Sequence, residues 1–240
     1  MAVVLLLHLC DHYIMVNLRR KTIEIPIEHS LSDSNLILIR HGETTGQSSV
    51  RFYGATDIPL SDIGVQQMQR TGERLKTFRY SQIITSPLSR SRDALAFFKD
   101  SDAEMEHIVV DEFAEINFGD WEGLTAQEIE QRYPLEHRIW KDKNNEFCYP
   151  NGESRSAFFN RVANGSKRIL QNIFAPTLAI LHKGVIRIIL AQLLNMPYEV
   201  LSGYSIELGS IQYLIKNETG WNLILHNDTS HLGMIRIPHS

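Results

Sequence analysis

The chain has 240 residues, 43% of them hydrophobic and 22% charged. That is enough apolar chain to bury a core, and it excludes a disordered or collagen-like protein. The formal net charge is −4, from 24 Lys and Arg against 28 Asp and Glu, so nothing draws the whole molecule to nucleic acid or to an anionic membrane. An anion would have to be held by a local cluster of cations. Cys10 and Cys148 are too few for a disulfide framework or a Cys-based zinc site, and a reducing, cytoplasmic compartment is the simpler expectation.

Residues 2–7 are apolar, but His8 and Asp11 follow at once, far short of the roughly 20 residues a membrane helix needs. The basic cluster Arg19, Arg20 and Lys21 lies after this run, opposite to the order in a signal peptide. Residues 1–34 therefore read as an N-terminal extension, and 35–240 as a single domain. Residues 36–39 form a short buried-strand pattern. Ser61 can cap a helix to about Phe78, with Val65, Met68, Leu75 and Phe78 on one face. A second strand is expected at 82–84, a helix at 88–98 and a third strand at 107–110. Segment 111–152 is poor in strand signal and rich in Trp, Tyr and charge, so it reads as a small helical insertion that could cover a site. Inside it, Thr125 and Glu128 have the spacing of a capping box. Residues 153–173 read as a long amphipathic helix, with Phe158, Val162, Ile169 and Ile173 on its apolar side. A fourth strand follows at 178–181 and a buried helix at 185–194. Late strands at 211–215 and 223–225 are joined by a turn at 217–220. Strands alternating with helices imply a three-layer α/β/α sandwich with a mostly parallel central sheet.

Two places share one design. The apolar strand Leu36-Ile37-Leu38-Ile39 runs into Arg40-His41-Gly42-Glu43, and Leu178-Ala179-Ile180-Leu181 runs into His182-Lys183-Gly184. In open α/β sheets, ligands bind outside the carboxyl ends of the strands. If these two strands are neighbours, both imidazoles face one crevice, with Arg40 and Lys183 beside them. A single strand-end histidine is more often a plain backbone cap. Two in the same setting point to a site.

Arg40-His41-Gly42-Glu43-Thr44 resembles the signature of the histidine phosphatase superfamily, also called phosphoglycerate mutase-like. The resemblance runs from about Leu36 to about Asn227. It continues through Arg51-Phe52-Tyr53-Gly54, then Asp57, Pro59, Leu60 and Gly64, and through Thr85-Ser86-Pro87-Leu88-Ser89-Arg90. Glu115-Ile116-Asn117-Phe118-Gly119-Asp120-Trp121-Glu122-Gly123 is similar to the family's acid-bearing loop. Asn151-Gly152-Glu153-Ser154 and His182-Lys183-Gly184-Val185-Ile186-Arg187 complete the set in the family's order.

The resemblance implies roles that chemistry can check. His41 would be the nucleophile and form a phosphohistidine, for which the imidazole must be neutral. Arg40, Arg90 and His182 would surround the phosphoryl group, where positioning and charge stabilisation dominate. Glu115 would protonate the leaving alkoxide and later take a proton from water; Asp111, Glu112 and Glu122 are its neighbours and rivals. Ser86, Gly54 and Gly184 would belong to the substrate pocket. Gln47 stands where the family often has Asn and would be a substrate-binding residue that keeps the donor amide on a side chain one methylene longer, and Gly46 stands where the mutases tend to have Trp. Lys183 replaces a common Gly and would either add a cation to the mouth or point to solvent.

The function so implied is a metal-independent phosphomonoesterase, a phosphoric monoester hydrolase of the histidine acid type. It would act on a small phosphorylated metabolite, use no cofactor or metal, and allow a homodimer. The short acid loop and the Asn-Gly-Glu-Ser segment look most like the alpha-ribazole phosphatase and broad-specificity phosphatase branch. Two alternatives stand beside it. A phosphoglycerate mutase would carry a longer basic segment after the acid, where this chain has Ile116-Asn117-Phe118-Gly119-Asp120. A non-catalytic relative that only binds phospho-ligands would have lost part of the reactive set. A zinc hydrolase lacks support within the domain, since the one His-x-x-x-His pair, His8 and His12, lies in the N-terminal extension.

Overall fold

The structure is a computed structural model that describes residues 35–98, 105–142, 146–170, 173 and 175–236. The expected N-terminal extension, 1–34, lies outside the described residues. Six strands form one sheet in the order β3-β2-β4-β1-β5-β6. They are β1 (Asn35–Arg40), β2 (Gln82–Thr85), β3 (Glu106–Val109), β4 (Thr177–Leu181), β5 (Ile211–Asn217) and β6 (Gly220–Asp228). The first four in that spatial order pair in parallel, and β5 and β6 add an antiparallel edge. The mostly parallel α/β sheet read from the sequence is therefore present, with helices on both of its faces.

The sequence explains the order of burial. Every residue of β1 and of β4 is buried, as expected of near-continuous Leu, Ile and Ala runs covered on both faces. In contrast, β3 is short and mostly exposed, and its Glu106 and His107 suit an edge strand.

Helix α1 (Asp62–Leu75) starts where Ser61 Oγ accepts from Gly64 N. It stops at Leu75, one turn before the expected Phe78. The expected helix at 88–98 is only one turn of α-helix, α2 (Ser89–Arg92), followed by a 3-10 stretch at Asp93–Phe97, where bonds tighten to the i−3 carbonyl, as Phe98 N to Leu95 O shows. Within 111–152 lie α3 (Ala126–Arg132) and α4 (Pro134–Lys141). Both bonds of the capping box form: Thr125 Oγ1 accepts from Glu128 N and Glu128 Oε2 from Thr125 N. Pro134 fills the first position of α4, where its missing N–H costs nothing.

The long helix is α5 (Arg155–Leu170). It begins two residues later than expected because Ser154 is its cap, accepting from Ala157 N, while Glu153 turns away to pair with Arg161. Helix α6 (Lys183–Leu193) begins two residues earlier than expected, immediately after His182, and α7 (Tyr198–Ser202) follows. The main core packs α5 and α6 against the sheet through Phe158, Val162, Val185, Ile186 and Ile189, and continues into Trp121, Phe147 and Tyr149 of the insertion.

Candidate active site

Three neighbouring parallel strands bring the motifs together. In the sheet, Arg40 pairs with Leu181 and Thr85 with Ile180. His41, His182 and Ser86 are each the next residue, so they emerge side by side at the carboxyl edge. The rings of His41 and His182 lie edge to face with centroids 5.1 Å apart.

His41 Nδ1 lies 2.7 Å from the carbonyl oxygen of Gly42. A carbonyl can only accept, so Nδ1 carries the hydrogen, and in the neutral ring the lone pair is on Nε2. His182 Nε2 lies 2.7 Å from Ser86 Oγ, which also accepts from Leu88 N. In the tautomer where the hydroxyl gives its own hydrogen to Nε2, Nδ1–H is a donor. That atom is fully buried and has no hydrogen-bond partner. Burial first, and then Arg90, His41 and Arg40, push the His182 imidazole well below its usual range. His182 is therefore neutral in this site.

The two arginines are set by backbone carbonyls. Arg40 Nη1 donates to Ile206 O at 2.8 Å. Burial pushes its guanidinium down to about 10, against the opposing pull of Glu115 and Glu43, so it stays cationic at neutral pH. Arg90 spends Nη1 on Thr56 O and Nη2 on Gly54 O, while its buried Nε has no partner.

Glu115 is 8% exposed and bridges two loops: Oε1 accepts from its neighbour Ile116 N and Oε2 from Gly184 N, both at 3.0 Å. Gly184 allows this approach, since a Cβ there would stand 2.6 Å from Oε1. Two of the rivals are engaged elsewhere. Glu112 is paired with Arg168 at 2.6 Å, which holds its carboxyl below the usual range. Glu122 accepts from Gly54 N, Ala55 N and Phe118 N, tying the acid loop to the loop at 54–56. The Gly-Glu-Ser motif also serves this loop: Glu153 pairs with Arg161, whose Nη1 holds the carbonyls of Glu112 and Ala114.

Arg40, His41, Glu115, Lys183 and Gly184 line one cleft of about 1530 Å³. Gly54, Ser86, Arg90 and His182 do not line this cleft: His182 packs edge to face against His41, Ser86 bonds His182, and Arg90 bonds the carbonyl oxygen of Gly54. At Gly54 a Cβ would stand 1.6 Å from Ile116 O, so glycine is required for the two loops to meet. Gln47 is exposed, does not line the cleft, and takes a left-handed backbone (φ 61°) in the turn closed by its N–H to Thr44 O. The turn is braced by buried Glu43, which accepts from Thr44 N, Ser48 Oγ and Ser49 N.

Sequence reasoning passed over Arg187 and the aromatic wall of Phe52, Phe118, Trp140, Tyr149 and Tyr198. The spacing of Lys183 and Arg187 on one helix face is the signal that could have found the first. The wall comes from distant segments and left no local signal. Among the described residues, no group of three or more His, Cys, Asp or Glu is placed to hold a metal, and no helix is long and apolar enough to cross a membrane.

Comparison with known proteins agrees with this geometry. The chain is 29% identical to an uncharacterized phosphatase, PhoE, of Bacillus subtilis over 198 residues, covering 81% of this chain and 95% of that protein. It is 28% identical to phosphoserine phosphatase 1 of Hydrogenobacter thermophilus, covering 82% and 94% respectively. Its fold matches the crystal structure of the alpha-ribazole phosphatase from Shigella flexneri with a TM-score of 0.74, at 26% identity, over 81% of this chain and 96% of that one. The sequence profile of the histidine phosphatase superfamily (branch 1) matches residues 36–229, and the chain belongs to that family.

Proposed function

We propose that this protein is a metal-independent phosphomonoesterase that hydrolyses a small organic phosphate through a phosphohistidine at His41. The observation that carries this reading is the fixed tautomer of His41: Nδ1 is tied to Gly42 O, and the lone pair is on Nε2, at the carboxyl edge of the sheet. The phosphatase names of relatives at 28–29% identity support the reaction class.

In the first step Nε2 attacks phosphorus, the P–O ester bond breaks, and Glu115 passes a proton to the departing alkoxide. In the second step water attacks phosphorus, its proton goes to Glu115, and the N–P bond breaks to release inorganic phosphate. Arg40 and Arg90 supply positive charge where the phosphoryl oxygens gather negative charge. The Nδ1–H of His182 adds a donor, and Ser86 keeps that ring in the required tautomer.

Release of phosphate from a panel of sugar phosphates, nucleotides, phosphoglycerates and ribazole phosphate tests the class. His41→Ala should lower release by several orders of magnitude while the protein keeps its fold. Near-normal release by that variant would overturn the assignment.

A further inference from the structure

Helix α6 carries its first turn into the site and one cation further along the cleft. Gly184 N is bonded to Glu115, and Arg187 follows three residues later on the same face. Three residues of helix advance about 4.5 Å, so Arg187 lies about one turn beyond the carboxylate that meets the ester oxygen. The side chain is half-buried and lines the cleft. Nε and Nη2 both donate to the carbonyl oxygen of Tyr204. Among the described residues no carboxylate lies within 4.0 Å of it, whereas Arg51, Arg161 and Arg236 all have such partners.

A desolvated guanidinium without a counter-charge is costly to keep in a fold. Burial does lower the proton affinity of Arg187, with Tyr198 and Glu115 opposing. Burial also raises Tyr198, whose phenol is therefore neutral and a donor on the same cleft wall. Glu115 acts on Arg187 only at a distance, since its two oxygens accept from Ile116 N and Gly184 N and neither is in ion-pair contact with the guanidinium. Glu207, also on the wall, is engaged by Arg236. Glu199 is exposed, and it too is farther than 4.0 Å from Arg187.

Resting on the phosphomonoesterase reading, we propose that Arg187 is the specificity residue for a second anionic group on the leaving alcohol. That group is a carboxylate or a second phosphoryl, placed three to five bonds from the ester oxygen. A phosphoryl group held by Arg40 and His41 and an ester oxygen at Glu115 leave this stretch of the cleft to the remainder of the substrate. An anion there meets the Nη1 edge of Arg187 and the hydroxyl of Tyr198.

Three probes with the same carbon chain test this: 3-hydroxypropyl phosphate, 3-(phosphonooxy)propanoate and 1,3-propanediol bisphosphate. Their binding to His41→Ala, which holds ester without turnover, is measured by calorimetry, and their hydrolysis by the unaltered protein is measured as kcat/KM. The carboxylate or the bisphosphate should bind about 10- to 100-fold more tightly than the alcohol, the weight of a charge-assisted contact in a desolvated place. Which of the two is preferred identifies the anion. Adding Arg187→Gln should bring all three within about 2-fold, and Arg187→Lys should restore part of the preference. A purely structural role at Tyr204 would instead weaken all three probes alike. No preference in the parent, or a preference that survives Arg187→Gln, would overturn the proposal. If Arg187→Gln does not fold, the parent's preference and the Arg187→Lys variant still decide. A binding preference without any hydrolysis would sink the phosphatase reading and leave this one standing.

Discussion

Substituting Gly184 by Ala tests the acid assignment without touching the acid. The new Cβ would stand 2.6 Å from Glu115 Oε1, and 2.9 and 3.0 Å from two ring carbons of Phe158. Ordinary contact begins near 3.4 Å, so the carboxylate must retreat by about 0.8 Å, the difference between 3.4 and 2.6. Phe158 is buried in the core and cannot take up the strain alone. The helix itself gains, because alanine suits it better than glycine. A misplacement of about 1 Å costs on the order of 100-fold in rate, or about 2.7 kcal/mol of barrier. An alkyl phosphate, which needs its leaving oxygen protonated, should bear that loss. A nitrophenyl phosphate leaves well without a proton and should lose less than about 10-fold. Single-turnover phosphorylation rates on both substrates, with a thermal melt to confirm folding, make the measurement. Unchanged alkyl rates, or equal losses on both substrates, would refute the reasoning.

Three other outcomes follow from the same geometry. Glu115→Gln should show the same selective loss on alkyl esters, while Glu112→Gln and Glu122→Gln should not; a selective loss in either of those would move the acid to that residue. Gly54→Ala places a Cβ 1.6 Å from Ile116 O and should lower both the melting temperature and activity, read by calorimetry and phosphate release; a variant with parent-like values on both would contradict the tight meeting of these loops. Stability should fall as pH drops from about 6.5. Burial pushes His226 down to about 4 and holds His182 and His231 below their usual range. Between the lowered and the ordinary values the unfolded chain binds more protons, so stability is lost by up to about 1.4 kcal/mol per pH unit for each histidine. Denaturant titrations across pH 4 to 7 would read this slope, and a flat or rising stability toward acid would contradict it.

Much of this was legible in the sequence because its carriers are local. The runs before His41 and His182 are too apolar to be anything but covered strands, and their parallel pairing sets the two rings 5.1 Å apart. Thr125 and Glu128 announce a helix start through two short bonds. Helix ends were less legible. Ser154 and Glu153 both suit an N-terminus, and only the Arg161 contact decides which of them caps. The supporting role of Gly54 was hidden for a similar reason. Its neighbours Ile116 and Glu122 are more than 60 positions away, so no spacing reports them. The motif gave no sign that the Glu43-braced turn would hold Gln47 in a left-handed backbone with its side chain exposed.

The central claim is that the phosphoryl group passes through His41. The most direct measurement is rapid quench into base during turnover of a nitrophenyl phosphate, followed by mass analysis of the peptides. Base is used because phosphohistidine is lost in acid. The account predicts a phosphoryl group on the peptide carrying His41, formed at the rate of nitrophenol release and missing in His41→Ala. Phosphate released at full rate with no phosphorylated peptide, or with the label on the peptide carrying His182, would contradict it.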